Sequence, residues 1–214
     1  METLISVPIS VGPDRSLHVK QKAKNGGLFG VLQSIASGNM GRSGTIHIQH
    51  VSAGDQAVVD VCADHRIGHD VQDYTSDKTQ TIVITTEPNE PVEIFVRLPK
   101  GEKGGFEKLR VEAANYNIKS EVEMPRIPEK AAHLSPDDVD FVPARELVVS
   151  ANSGAVTGLL PMQDSLEVTT GSGTIGFNLL PLFKKQSHAG KLQVKTAATP
   201  TFPFPPTLAP CAPS

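Results

Sequence analysis

Five residues in the first third of the chain carry side chains that bind transition metals: His47, His50, Cys62, His65 and His69. The Cys62-x-x-His65 spacing would suit zinc if these residues lay on a loop followed by a helical turn. The segment 57–62 instead has the composition of a strand, and residues three apart in an extended chain point to opposite faces of a sheet. His47 and His50, which are also three apart, diverge for the same reason. We therefore expect surface histidines here and name no metal ligand.

Two groups of carboxylates could do acid–base or calcium chemistry. Glu90 and Glu93 would make a general acid and a general base if they faced each other, but they are three residues apart across a junction between a turn and a strand. Asp137, Asp138 and Asp140 could ligate calcium, but their segment lacks the glycine and the distal glutamate of a calcium loop. We expect solvated glutamates and a helix-capping cluster. We name no catalytic or cofactor-binding residue, and we predict that the chain is not an enzyme.

Two further segments could bind an anion. The glycine-rich run 38–44 contains Arg42 and Ser43, but a phosphate-binding P-loop needs Gly-Lys-Ser/Thr at the start of a helix, and here an alternating, strand-like segment follows. The run 20–24 holds three lysines before an Asn-Gly-Gly sequence, and it could bind phosphate or an acidic partner. We expect a solvated turn at the lysines and a turn at the glycines.

The elements that must position these residues follow a 19-residue repeat in the second half of the chain. Each copy opens with apolar residues at every second position, which predicts a half-buried strand. A Ser-Gly turn and a second strand follow in each copy. The equivalent positions are Leu147, Val149 and Ala151 in one copy and Leu166, Val168 and Thr170 in the next.

Two other segments share this internal spacing. One contains Leu109, Val111, Ala113 and Ile118, and the other, beginning at Leu192, matches only the opening strand of a copy. A repeat of about 20 residues made of strands and turns is typical of β-solenoid rungs or stacked hairpins, in which each unit buries its apolar face against the next.

The remaining segments predict strands, loops and one helical turn. Alternating apolar residues around a Gly-Pro-Asp turn predict a hairpin over 4–19, and 79–86 and 92–98 predict two strands. The polar segment 70–78 predicts a loop. Ser135-Pro136-Asp137-Asp138 has the cap, proline and acids of a helix start. The fold class we expect is all-β: a β-solenoid or stacked-strand repeat rich in a single sheet, with short helical turns in loops.

Length and composition favour one domain. A chain of 214 residues can bury one sizeable core, and 18 glycines with 17 prolines suit a turn-rich β protein. We expect 1–78 to be an N-terminal β-rich part of the same domain and 79–199 to be the repeat region. The segment 200–214 is rich in proline, which donates no sheet hydrogen bond, and we expect a disordered tail.

Charge and cysteine content limit the class of partner. A net charge of −3 predicts no nucleic-acid partner, and no stretch approaches the ~18 apolar residues of a membrane span. Two cysteines, Cys62 and Cys211, and the lack of an Asn-x-Ser/Thr acceptor favour a reducing compartment. We expect the cytoplasm for the sequence as written, and the cell surface if the N-terminus is incomplete.

Several of these motifs resemble one family. The run 94–118, with its Ile-x-Val-x-Leu-Pro strand and Leu-x-Val-x-Ala strand, and the later Ser153-Gly154-x-Val156 and Ser172-Gly173-x-Ile175 turns are similar to the recurring unit of adhesin-like, right-handed β-solenoid domains of unknown function. Related domains occur in uncharacterised fungal proteins. The resemblance covers about 79–196. It implies a fold rather than an activity, because its motifs are residues that form turns and not a catalytic set. The chain departs from it at Asn115-Tyr116-Asn117, where the family usually has an Asn-Gly or Ser-Gly turn.

Two functional hypotheses follow. The first is a non-catalytic adhesin-like module for binding or scaffolding, whose partner is a protein or a glycan that the sequence does not identify. The second is a polysaccharide-active enzyme with a site in the loops along one edge of a β-helix. The second requires acidic or basic residues at matching positions of successive copies, and the residues before the turns are mostly small and uncharged, so we prefer the first.

Overall fold

A computed structural model describes residues 2–24, 44–51, 55–63, 70–87, 92–99, 105–122, 144–182 and 190–197. Every regular element in these ranges is a β-strand, and none could be a membrane-spanning helix. The strands are β1 (Glu2–Pro8), β2 (Gly12–Ala23), β3 (Thr45–Val51), β4 (Val58–Ala63), β5 (Asp70–Ser76), β6 (Thr79–Thr86), β7 (Glu93–Pro99), β8 (Phe106–Ala113), β9 (Asn117–Ser120), β10 (Ala144–Ala151), β11 (Val156–Met162), β12 (Ser165–Thr170), β13 (Ile175–Pro181) and β14 (Lys191–Thr196).

These strands form two seven-stranded sheets. Sheet A has the order β1-β4-β7-β3-β9-β11-β13, and sheet B has the order β14-β12-β10-β8-β2-β6-β5. Most neighbours are parallel, and the antiparallel pairs are β1 with β4, β4 with β7, and β5 with β6. The inward aliphatic side chains of both sheets belong to one buried cluster, which forms the core.

The expectation of a single dominant sheet is wrong. The chain forms two sheets of equal strand number, not one dominant sheet, because consecutive strands from β8 onward alternate between sheet B and sheet A. No helix occurs in the part of the chain that the structure describes, and the predicted turn at 135–138 lies outside that part. The all-β class is confirmed. The solenoid coil and the domain boundaries stay predictions.

The residues that the 19-residue spacing equates are direct neighbours in sheet B. Leu147 is opposite Leu166 and Val149 is opposite Val168 in the parallel pair β10/β12, and Leu109 is opposite Leu147 in β8/β10. Aliphatic side chains therefore stack on side chains of their own kind from strand to strand. Val149 and Val168 are both fully buried, as a shared inner face requires.

The N-terminal strands pair differently from the prediction. β1 and β2 do not form a hairpin, because β1 is antiparallel to β4 in sheet A and β2 lies between β8 and β6 in sheet B. The segment predicted as a loop over 70–78 contains β5, an edge strand antiparallel to β6. β5 is largely exposed, so its backbone pairing leaves no apolar pattern in the sequence.

The turn around Tyr116, which leads into sheet A, is packed so closely that two neighbouring glycines have no room for a Cβ atom. Tyr116, in the segment that departs from the family pattern, is 1% exposed. A Cβ atom at Gly44 would lie 2.6 Å from the Tyr116 ring, and one at Gly154 would lie 1.9 Å from the Tyr116 carbonyl oxygen. The next corner repeats this contact, because a Cβ at Gly173 would lie 1.8 Å from the Gly154 carbonyl oxygen. Glycine is therefore required at Gly154 and Gly173 by the close approach of neighbouring corners.

Replacement of Gly154 by alanine is expected to destabilise the fold. The new Cβ would collide with the carbonyl group of Tyr116, so one of two adjacent backbones must move. Overpacking of this kind costs about 1–3 kcal/mol, which corresponds to a fall of roughly 2–12 °C in melting temperature for a chain of this size. Thermal unfolding followed by circular dichroism measures the change.

Gly176→Ala is the matched control. Gly176 lies in β13, and a Cβ atom there would meet nothing within 4 Å. We expect its melting temperature to stay within about 2 °C of the parent, as for most surface substitutions. Equal melting temperatures for the two variants would contradict the close packing of the Gly154 corner.

Candidate functional site

The outer face of sheet A gathers charged side chains by strand alternation. In β3, Ile46 and Ile48 point into the core, so His47 points outward. In β7, Ile94 and Val96 point inward and the residues between them outward by the same rule. Because β3 lies between β7 and β9 in parallel register, outward residues of three strands meet on one surface.

At the centre of this surface is the His47 cluster, which consists of His47, Gln49, Glu93, Lys119 and Glu121. His47 Nε2 lies 2.6 Å from Glu93 Oε2, and His47 Nδ1 lies 2.9 Å from Glu121 Oε1. Lys119 Nζ is 2.7 Å from Glu121 Oε1, and Gln49 Nε2 donates to Glu121 Oε2 over 2.5 Å. Both nitrogens of the imidazole ring are therefore held by carboxylates, and neither is left for a substrate or a metal.

A second series of side-chain contacts links this cluster to β4 and β1. The His47 ring stacks on Phe95 with centroids 4.7 Å apart, and the Arg97 guanidinium lies 5.3 Å from the centre of the Phe95 ring. Arg97 Nη1 is 2.9 Å from Asp60 Oδ2, and Ser6 Oγ donates to Asp60 Oδ1 over 2.5 Å. The buried Asp60 carboxylate is thus paired on both oxygens, as a buried charge requires.

Glu121 is held in its ionised form by these neighbours. Partial burial by itself would raise the pKa of its carboxyl group, but hydrogen bonds from Gln49, Lys119 and His47 outweigh it and lower the pKa to about 2. A carboxylate with this pKa carries no proton near neutral pH, so it has none to donate as a general acid.

The outer face of sheet B carries a similar arrangement, the Glu112 cluster, which consists of His18, Lys20, Arg110 and Glu112. Glu112 Oε2 is 3.0 Å from His18 Nε2 and 3.3 Å from Lys20 Nζ, and Arg110 Nε donates to Glu112 Oε1 over 2.8 Å. Although burial would raise it, the pKa of Glu112 is lowered to about 2 by the hydrogen bonds from Arg110 and His18. Burial lowers the pKa of His18 despite its contact with Glu112.

Three residues of the metal hypothesis, His47, His50 and Cys62, lie in the described ranges. His47 is in the cluster just described, and His50 lines a small cavity together with Leu98 and Leu109. Cys62 is buried on β4, where its Sγ lies 3.4 Å from Thr3 Oγ1. Across the described ranges, no three histidine, cysteine or acidic residues are placed to hold a metal ion. His65 and His69 lie outside those ranges, as do Glu90, the aspartates 137, 138 and 140, and the glycine-rich run 38–43.

Two other expectations are wrong. Glu93 is not a solvated glutamate, because parallel pairing places the start of β7 beside β3 and so brings Glu93 against His47. The lysines of 20–24 do not lie in a turn, because β2 continues through Ala23.

No local pattern in the sequence points to Glu121 or Glu112. Glu121 contacts His47, which is 74 residues away in the sequence, and Glu112 contacts His18, which is 94 residues away. Contacts of this kind depend on which strands are neighbours in a sheet. Alternation predicts that each side chain faces outward but not which outward side chain stands beside it.

The low pKa values of Glu112 and Glu121 predict how stability changes in acid. Each pKa in the folded protein, about 2, is below the ordinary value of 4.5, so the ionised group stabilises the fold fully above pH 4.5. This contribution is lost as the pH falls from 4.5 toward 2. We expect Glu112→Gln/Glu121→Gln to be less stable than the parent near neutral pH and to lose less stability between those two pH values.

Urea unfolding at a series of pH values measures this effect. The matched control is Glu107→Gln/Glu146→Gln, which makes the same charge change at two exposed carboxylates that are paired with Arg145 and Lys108. The control should keep the acid dependence of the parent. If the stability of Glu112→Gln/Glu121→Gln depends on acid as that of the parent does, the ionised forms of Glu112 and Glu121 do not stabilise the fold.

No family model matches the sequence, and no curated protein matches it. Among solved structures, the chain is similar to a "putative cell adhesion protein" from Clostridium sporogenes, with 10% identity, a TM-score of 0.31, and coverage of 90% of this chain and 98% of that one. It is also similar to a "putative adhesin" from Bacteroides fragilis, with 14% identity, a TM-score of 0.24, and coverage of 90% and 96%. A "putative adhesin" from Parabacteroides distasonis matches at 12% identity and a TM-score of 0.25, with coverage of 89% and 96%.

Proposed function

We propose that this chain is a non-catalytic, adhesin-like module that binds a protein or a glycan through the outward faces of its sheets. We also propose that the strands from β8 onward follow a solenoid coil, in keeping with the parallel, in-register pairs of β8, β10, β12 and β14. The cytoplasm and the cell surface both stay predictions for its location.

One observation carries the proposal: the carboxylates that converge on each face are paired with neighbouring side chains. Both nitrogens of His47 meet carboxylates, and Glu121 and Glu112 have pKa values of about 2. A general base or acid works best with a pKa near the operating pH and with a free atom toward the substrate. Glu121 and Glu112 lack such a pKa, and the ring nitrogens of His47 are both in contact with carboxylates, so these groups suit a fixed surface pattern of charge better than proton transfer.

The placement of the charges also suits binding. β3 and β9 are interior strands of sheet A, and β2 and β8 are interior strands of sheet B, so both clusters sit on backbone that is hydrogen-bonded on both sides. Their inward neighbours Val19, Ile46 and Val111 are fully buried. A surface supported in this way loses little conformational freedom when a partner binds, which favours affinity.

The polysaccharide-active enzyme remains the second candidate, and one observation favours it. Glu93 and Glu121 converge on His47 from different strands, and glycosidases use a pair of carboxylates. The low pKa of Glu121 argues against it, because one member of such a pair must donate a proton to the leaving group.

A direct test measures binding and turnover together. The full chain is passed over immobilised neutral and acidic polysaccharides, and new reducing ends are counted in parallel incubations with the same polymers. We expect saturable, reversible binding to at least one polymer and no increase in reducing ends above the blank.

Turnover decides between the two candidates. Glu146→Gln is the control, because Glu121 belongs to the His47 cluster and Glu146 does not. If the parent and Glu146→Gln release reducing ends and Glu121→Gln does not, the chain is an enzyme and our proposal is overturned. If no polymer binds and none is cleaved, a glycan is ruled out as the partner within the polymers tested, and the protein partner is left.

A further inference from the structure

A groove on the outer face of sheet B lies beside three lysines of β2 and the residue after it. Strand alternation points Val19 into the core and therefore Lys20, Lys22 and Lys24 outward, on the same face. With Ser150 and Asn152 they line an open groove of about 670 Å³ at the ends of β2, β8 and β10. We call this feature the lysine groove.

The lysine groove carries a local surplus of positive charge in a chain whose net charge is −3. Lys20 is 3.3 Å from Glu112, and Lys24 pairs with Glu87. Lys22, between them, is exposed. Glu112 is also paired with Arg110, so among the described residues four cations meet two carboxylates here, and two positive charges are left over. Asp70 is two strands away on β5 and does not line the groove.

The spacing of the lysines favours an extended ligand over a single anion. Alternate residues of a strand are about 7 Å apart, so three ammonium groups form a row rather than a cage. The groove is open, and its cations are lysines, which act as point charges and do not make the two-pronged contacts of arginine. A row of this kind matches a polymer that carries negative charge at intervals.

The rest of the lining favours a carbohydrate as that polymer. β2, β8 and β10 are interior strands of sheet B, so no free strand edge is available there for a peptide to extend the sheet. Among the described residues, no aromatic side chain lines the groove, so the described lining offers the bases of a nucleic acid nothing to stack on. Ala113 and Ala114 contribute small side chains to the lining, and the Ser150 hydroxyl and Asn152 amide are groups that hydrogen-bond to sugar hydroxyls.

We propose that the lysine groove binds an acidic polysaccharide, whose carboxylate or sulfate groups pair with Lys20, Lys22 and Lys24 while its sugar rings lie over the Ser150 and Asn152 side of the groove. This proposal rests on the proposed function, because it names the partner class and the place of binding of a non-catalytic module.

The test compares two triple variants of the full chain. Lys20→Gln/Lys22→Gln/Lys24→Gln removes the row, and Lys78→Gln/Lys191→Gln/Lys195→Gln makes the same charge change at exposed lysines elsewhere. Binding to polygalacturonate, to heparin, to neutral dextran and to poly-glutamate is measured by biolayer interferometry at two salt concentrations. Melting temperatures show that both variants are folded, and the single variant Lys22→Glu, at an exposed position, provides a second test if the first triple variant does not fold.

We expect at least one of the two acidic polysaccharides to bind. Its Kd should rise at least tenfold in the groove variant and less than twofold in the control variant, and binding should be weaker at higher salt.

Equal losses of affinity in the two triple variants would overturn the proposal, because they would reflect net charge alone. The proposal would also be overturned if poly-glutamate bound as tightly as the acidic polysaccharides, since the groove would then recognise negative charge and not the sugar. Binding of dextran alone would overturn the groove and leave the proposed function intact, whereas cleavage of any polymer would overturn the proposed function itself.

Discussion

The fold is organised by the parallel, in-register pairing of strands that carry the same residue pattern. When Leu147 stands opposite Leu166 and Val149 opposite Val168, each inward side chain packs on the one before it, and the core continues from strand to strand. A shift of one residue would turn every aliphatic side chain outward, so this register is strongly specified. The same stacking brings corners together, and only glycine lets the Gly154 backbone approach Tyr116 as closely as it does.

In-register pairing has a consequence for the outer faces, because outward side chains also stand in rows across neighbouring strands. Charges in such a row are partly shielded from water and must be compensated by their neighbours. Glu121 on sheet A and Glu112 on sheet B each receive several donors and have pKa values of about 2. The arrangement keeps both carboxylates ionised and paired, and the sheets hold them in a fixed pattern of charge.

Compensation is less complete where β2 ends. Lys20 and Lys24 have carboxylate partners, but the row of lysines still exceeds the acids beside it. These lysines are carried by a strand whose inward residues Leu17 and Val19 are buried, so their spacing is set by the core rather than by a loop. In the function that we propose, the surface pattern of the sheets does the binding, and the core holds that pattern in place.

The amino-acid sequence was enough to predict the all-β class, most strand positions and the alignment of Leu147 with Leu166, because alternation and a fixed repeat length are local properties of the chain. It did not determine that β1 and β2 enter different sheets, or that β5 forms at all, because partner choice and an exposed edge strand leave no apolar period. Tertiary structure alone decided that Glu93 and Glu121 meet at His47. The physical reason is that outward side chains from distant segments become neighbours only when the order of strands in a sheet is fixed.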